Sequence, residues 1–205
     1  MKIYMKKFLK IIAILLSLFG FCCFVGGALI TGGIVHYQGE LPLGHVNSIA
    51  VDNRGLIYVG LGFYGQIQVY NYSGDFIRHW EVDALGGMFE MDATENNNIL
   101  VRSYRGHKLL LYNQYGEIIS IDTIKTLASN FERSVTTYTT GEGITYKVEG
   151  WLFPKIVRFS PLRQTVIKQN IYFQIMQGPF PAWFWLALGT ALRFALDRED
   201  KEDRN

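Results

Sequence analysis

The side chains able to do chemistry are few and scattered. His36, His45, His79 and His107 are the four histidines. None forms the close-spaced pair that puts two imidazoles on one face of a zinc-binding helix. Cys22 and Cys23 are the two cysteines, and both fall in a run without charge. A thiol there behaves as a small buried hydrophobe, so neither a disulfide framework nor a cysteine metal site follows. Gly60-Leu61-Gly62 is a glycine pair with no helix after it to present a phosphate site. Asp52 and Asp92 recur in two stretches of similar pattern, either as ligands for a metal or sugar or as acceptors for backbone N–H groups of the next turn. Recurrence favours the second role, since repeats share scaffold. The acidic stretch Glu81, Asp83, Glu90, Asp92 and Glu95 reads as charge on outward faces and loops. No catalytic, cofactor-binding or metal-ligating residue is assigned. Tyr58, Tyr64, Tyr70, Tyr72, Trp80, Tyr104, Tyr112 and Tyr115 offer platforms for a sugar or a protein, and ordinary strand packing accounts for them equally well.

The elements that would position these residues repeat. Ile49 to Asp52, Leu56 to Val59, Gln66 to Tyr70 and Phe76 to Trp80 are four short apolar-rich runs. Turns at Asn53-Arg54-Gly55 and Ser73-Gly74 and a loop over Gly60 to Gly65 separate them, a pattern that predicts a meandering antiparallel sheet. A second unit matches Phe89–Asp92 to Ile49–Asp52, Ile99–Val101 to Ile57–Val59 and Leu109–Tyr112 to Ile67–Tyr70. The loop at Glu95–Asn98 absorbs a two-residue difference. A third unit runs through Val135–Thr139, Ile144–Val148, Lys155–Phe159 and Gln164–Ile167. Ile57 to Tyr70, Ile99 to Tyr112 and Tyr146 to Phe159 are each 13 residues apart. Units of about 40–47 residues with four strands fit propeller blades. The units are placed at about 45–82, 86–121 and 134–168, with a short helix over Asp122–Arg133 from the spacing of Ile124, Leu127, Ala128 and Phe131.

The first unit resembles an NHL repeat. Ser48 to Asp52, Gly55 to Val59, Gln66 to Tyr70 and Gly74-Asp75-Phe76 carry the resemblance. It implies a mainly β, propeller-like fold of three four-stranded antiparallel blades whose loops form a binding surface.

Flanking this domain are apolar segments. Residues 11–35 carry no charge, long enough to span the roughly 30 Å hydrocarbon core as a helix and longer than the apolar core of a signal peptide. The small residues Gly26-Gly27-Ala28 would suit cleavage. Lys2, Lys6, Lys7 and Lys10 precede the run, and no Lys or Arg follows between His36 and Asn53. The positive-inside rule then puts residues 1–10 in the cytoplasm and 36–178 outside. Residues 179–196 form a second transmembrane or interfacial helix, with Phe180, Trp183, Phe184 and Trp185 as an aromatic belt. Arg193 stands near its far end, before a charged cytoplasmic tail at 197–205. Cys23, Gly27 and Thr31 make a stripe of small residues suited to helix contact.

Residues 36–178 hold 12 Lys/Arg against 13 Asp/Glu, without the basic excess of a nucleic-acid binder. The expectation is a cell-membrane protein whose extracytoplasmic blades bind a protein partner or a cell-surface polymer. An accessory subunit of a membrane complex and a propeller-type hydrolase or lyase are the alternatives. Three units are fewer than the roughly 4–8 of a closed propeller. A homodimer would supply six, and an open sheet with capped edges is the competing arrangement.

Overall fold

The computed structural model describes residues 2–32, 34–35, 37–44, 46–84, 88–124, 136–150, 153–177 and 179–202. The fold is mainly β. Blade 1 contains β1 (Val46–Val51), β2 (Ile57–Leu61), β3 (Gln66–Tyr70) and β4 (Phe76–Glu81). Blade 2 contains β5 (Phe89–Ala93), β6 (Ile99–Ser103), β7 (Lys108–Tyr112) and β8 (Ile118–Thr123). Blade 3 contains β9 (Thr137–Thr139), β10 (Thr145–Glu149), β11 (Lys155–Ser160) and β12 (Leu162–Ile167). Each is a four-stranded antiparallel meander in chain order.

Side-chain turns set the hairpins. In the β3–β4 turn the Asn71 side chain accepts the Asp75 N–H at 2.9 Å, and in the β7–β8 turn Asn113 accepts the Glu117 N–H at 3.0 Å. A polar acceptor at the turn entry offers the chain a local alternative to extending the strand, which fixes where each hairpin reverses. Register corrects the expected repeat in three places. Ile49 pairs with Val59 as Met91 pairs with Val101, so Ile49 corresponds to Met91, 42 positions on, and no loop absorbs a difference. In the third blade Thr145 pairs with Phe159, one residue earlier than the expected partner Tyr146. Gly60 and Leu61 belong to β2 rather than to the loop. The helix expected over Asp122–Arg133 lies largely outside the described residues, while Asp122 and Thr123 end β8.

The blades do not pack in chain order. One core joins Ala50, Tyr58, Ile67, Val69 and Trp80 of blade 1 to Phe89, Met91, Val101, Leu110 and Tyr112 of blade 2. A second core joins the opposite face of blade 1, through Ile49, Val51, Ile57, Val59 and Tyr70, to Tyr146, Ile156 and Ile167 of blade 3. The spatial order is therefore 3-1-2. Among the described residues no strand of blade 2 pairs with one of blade 3, and the sheets do not close into a ring. Both junctions use one geometry. The β7–β8 turn lies on the last strand of blade 1, where a Cβ at Gly116 would meet the Trp80 ring at 2.6 Å. The β3–β4 turn lies on the last strand of blade 3, where a Cβ at Gly74 would overlap the Val166 carbonyl.

The two free faces mix ion pairs with apolar side chains, fully buried Val157 among them on blade 3. Alternation puts Thr137, Thr145, Lys147, Glu149 and Lys155 of blade 3 where blade 1 carries Ile and Val, with Glu149 paired to Arg163 and, at 3.8 Å, to Lys155. On blade 2, Arg102 pairs with Asp92 at 2.6 Å beside half-buried Leu100, Leu109 and Leu111.

Three helices complete the chain: α1 (Lys2–Thr31), α2 (Ile171–Gln177) and α3 (Pro179–Glu202). α1 and α3 pack antiparallel. The Phe24 and Trp183 rings lie 4.7 Å apart, and Lys10 pairs with Asp197 at 2.7 Å. The backbones touch at two glycines. A Cβ at Gly20 would strike the backbone of Leu186 and Ala182, and one at Gly189 would sit 2.6 Å from the Ala13 carbonyl. Small residues let helices approach this closely, and the gain is van der Waals contact. The expected stripe faces elsewhere: the Phe63 ring lies 3.4 Å from a Cβ placed at Gly27, so that part of the stripe abuts blade 1.

Gly74 and Gly143 both have positive φ, +90° and +82°, but only Gly74 meets a neighbouring blade. Gly143→Ala is expected to cost about 1 kcal/mol from backbone strain alone. Gly74→Ala adds roughly 1–3 kcal/mol of overlap. Urea denaturation of the two variants in mild detergent measures the difference.

Candidate functional site

The most built polar feature is where the chain enters and leaves the β-domain. The link 37–44 runs from α1 to β1, and residues 168–170 run from β12 to α2. Gln68 and Tyr70, on β3, point from blade 1 into this junction although both are fully buried. Burying an amide without partners costs about 1–3 kcal/mol, so the junction must satisfy it. The Tyr70 hydroxyl donates to Gln68 Oε1 at 2.6 Å or to Glu40 Oε1 at 3.0 Å. Gln68 donates to the Leu41 carbonyl at 3.2 Å. Gln169, 9 % exposed, donates to Glu40 Oε1 and to the Leu41 carbonyl, each at 2.8 Å, and accepts the Leu43 N–H at 2.8 Å. From α2, Gln174 donates to the Pro154 carbonyl at 3.1 Å. Burial, and then the adjacent Glu40 carboxylate, push the Tyr70 hydroxyl far above its ordinary range, so it stays a donor.

Two cavities adjoin this network. One, of about 440 Å³, is lined by residues that include Tyr37, Glu40, Asp75, Phe76, Lys168 and Phe173. The other, of about 550 Å³, includes Lys155, Lys168, Asn170 and Gln174. Lys168, Gln169 and Asn170 line both, so the two adjoin across that segment as the halves of one cleft. Glu40 and Gln169 lie 129 positions apart. Neither was singled out from the sequence, because a Glu in a turn-rich link and a Gln after a strand read as surface residues. Gln68 offered the one signal: it alternates with Ile67 and Val69 in a blade buried on both faces.

The expected candidates do not converge. Asp52 is 4 % exposed and caps its own turn: it accepts the N–H groups of Arg54 and Leu56, both at 3.0 Å, and the Tyr58 hydroxyl at 3.0 Å. Burial, then the Asp52 charge, raise the Tyr58 pKa well above its ordinary range. Asp92 is not its counterpart. The equivalent turn of blade 2 is capped by Thr94, whose Oγ1 accepts the Asn98 N–H at 3.1 Å, and that of blade 3 by Thr140. Asp92 is an exposed strand residue held by Arg102. His79 stacks on Phe76 at 6.3 Å, and burial lowers its pKa against the opposing pull of Glu81. His107 sits in the β6–β7 turn at φ 50°; His36 and His45 lie outside the described residues. Among the described residues no group of three His, Cys, Asp or Glu side chains could hold a metal ion. Of the tyrosines, Tyr58, Tyr64, Tyr70 and Tyr112 are core residues, and Tyr72 and Tyr115 are exposed. Tyr72 lies under Arg158, 3.9 Å from the ring centroid to the guanidinium carbon. Burial first, then a hydrogen bond to Glu90, push Tyr104 up to about 12.

No family model matches the sequence, and no curated protein matches it. Among solved structures, virginiamycin B lyase from Staphylococcus aureus aligns at TM-score 0.37 and 11 % identity, over 65 % of this chain and 45 % of that one. A streptogramin B lyase aligns at 0.38 and 12 %, over 65 % and 44 %. A Bacteroides fragilis protein named as exported aligns at 0.36 and 15 %, over 73 % and 47 %. The chain spans less than half the length of each. These likenesses carry no activity to this chain. The chain is mainly β, with three unclosed, propeller-like blades and an N-terminal apolar helix. Among the described residues Tyr4–Ile30 is the one helix long and apolar enough to cross a membrane, a length and composition shared by membrane anchors and signal sequences.

Asp52→Ala would leave the Tyr58 hydroxyl and the Leu56 N–H without their acceptor, at an expected cost of about 2–3 kcal/mol. Asp92→Ala removes one exposed ion pair, at less than about 1 kcal/mol. Urea denaturation of both variants separates the turn cap from the surface pair.

Proposed function

We propose that this chain is a membrane-anchored, extracytoplasmic interaction module with NHL-like blades, engaging a protein partner or a cell-surface polymer. The observation that carries the reading is the docked helical hairpin. α1 is apolar over Tyr4–Ile30 with its outward side chains exposed, as lipid contact requires, and α3 lies antiparallel along it through Gly20 and Gly189. That pairing supports α3 as the second membrane element, even though its composition is less apolar. Lys2, Lys6, Lys7 and Lys10 then share one end of the hairpin with Arg193, Asp197 and Arg198, and the blades sit at the other. This agrees with the positive-inside rule for a chain with both ends in the cytoplasm.

A binding role suits a rigid scaffold that presents turns around an edge. Among the described residues the hydrolase or lyase reading has no converging set of acids, bases or nucleophiles to stand on. The accessory-subunit reading has no observation of its own, because lipid covers the exposed face of α1 equally well. The ion pairs on the free faces of blades 2 and 3 support the open arc over a six-blade homodimer, since a neighbour packed there would have to desolvate them.

Protease added to right-side-out spheroplasts is expected to digest residues 36–178 and spare an N-terminal tag. Digestion in inverted vesicles alone, or release of the whole chain to the medium, would overturn the reading. Light scattering of the purified chain, with detergent mass subtracted, is expected to give one chain per particle across a wide concentration range. Two chains per particle would restore the ring.

A further inference from the structure

The cleft beside Glu40 has the chemistry of a receptor for a zwitterion. Glu40 is fixed through one oxygen, Oε1, which accepts Tyr70 Oη and Gln169 Nε2. Both donors are neutral. Among the described residues Oε2 has no hydrogen-bond partner, and no cation pairs with the carboxylate. A carboxylate so held is preorganised for a positive group. Tyr37, Phe76 and Phe173 line the same cavity, and ring faces attract cations. In the next cavity Gln174 is 4 % exposed, and its Oε1 is buried without a partner. Glu40 lines the first cavity and Gln174 the second, and open acceptors call for N–H donors, which a primary ammonium has and a quaternary one lacks. Between the cavities stands Lys168, exposed and with no ion-pair partner among the described residues, a point charge suited to a phosphate.

The cleft's position indicates the source of such a ligand. Tyr37 also lines a gap of about 230 Å³ against Cys23, Gly27 and Ile30 of α1. Phe173 belongs to α2, which leads into α3. The walls of the cleft are thus the β3–β4 turn of blade 1 and the two segments that join the helical hairpin to the blades, which on the anchor reading lie at headgroup level.

We propose that this cleft binds the headgroup of a phospholipid bearing a primary ammonium, with the ammonium on Glu40 and the phosphate on Lys168. The inference rests on the reading of α1 as a membrane anchor. The lipid's headgroup then ties the blades to the bilayer surface and fixes their tilt.

Native mass spectrometry tests it on the full chain, released from micelles doped with phosphatidylethanolamine or with phosphatidylglycerol of the same acyl chains. The ethanolamine lipid is expected to bind about tenfold more tightly, the size of one charge-assisted hydrogen bond. Glu40→Gln keeps an acceptor for Tyr70 and Gln169 but turns a donor toward the ligand, and should reduce that preference to within about twofold. Lys168→Gln should weaken both lipids alike. Equal binding of the two lipids by the native chain, or a preference that survives Glu40→Gln, overturns the proposal. Soluble glycerophosphoethanolamine that binds as tightly as the lipid also overturns it, by making the ligand a free solute. Anchoring itself is read separately, by whether the chain fractionates with membranes, so either idea can fail alone.

Discussion

Blade 1 is apolar on both faces, and a four-stranded sheet of that composition cannot stand alone in water. Each fully buried Ile, Val or Tyr contributes roughly 1.5–3 kcal/mol only while its face is covered. Blade 2 covers one face through Phe89, Met91 and Val101, and blade 3 covers the other through Tyr146, Ile156 and Ile167. The outer blades need the central one as much, because the cores they share with it hold most of their buried side chains. Their remaining faces carry ion pairs, Glu149 with Lys155 and Arg102 with Asp92, among Val157 on blade 3 and Leu100, Leu109 and Leu111 on blade 2. A further blade on either face would have to desolvate these ion pairs, which offsets much of what their mutual attraction contributes.

Covering both faces of blade 1 creates a polar problem at its margin. Gln68 and Tyr70 alternate with Ile67 and Val69, and the alternation that normally sends such side chains to solvent here sends them under blade 3. Their partners are the Leu41 carbonyl of the link, the Glu40 side chain and each other. Among the described residues the network is nearly saturated, and its open acceptors, Glu40 Oε2 and Gln174 Oε1, belong to residues that line the cleft. Polar groups inside a protein carry energetic weight because the local dielectric is low. The same property that makes the junction rigid makes its unfilled positions chemically specific.

Much of the blade architecture was legible in the sequence, because it is local. Strand lengths follow the turns, and the turns are set by short-range acceptors such as Asn71, Asn113 and Asp52. The two-residue error in the second unit has a physical origin. Asp and Thr cap a turn equally well, so Asp92 drew the alignment away from Thr94. Asn97, at φ 59°, stands where Gly55 stands in blade 1, which hides the turn further. Blade order was not legible. Nothing local tells the third unit to pack on the first rather than the second, and that choice is made by matching apolar faces across more than 80 residues of chain. The cleft was illegible for the same reason, since its walls come from residues near 40, 75 and 170.

The order 3-1-2 has a consequence for the membrane helices. Stacked sheets lie about 10 Å apart, so a linear array in chain order would separate the entry to blade 1 from the exit of blade 3 by about two such spacings. With blade 3 folded back on blade 1, entry and exit meet: the Leu43 N–H donates to Gln169 at 2.8 Å. α1 arrives and α2 departs at that one corner, and α3 can run back along α1 from Trp183 to Asp197. The glycine contacts at Gly20 and Gly189 then need no long connector to bring them together. Pairing of the helices and closure of the corner reinforce each other, because each shortens the loop the other must close. The hairpin and the arc are in this sense one structure, and the polar network around Gln169 is the joint between them.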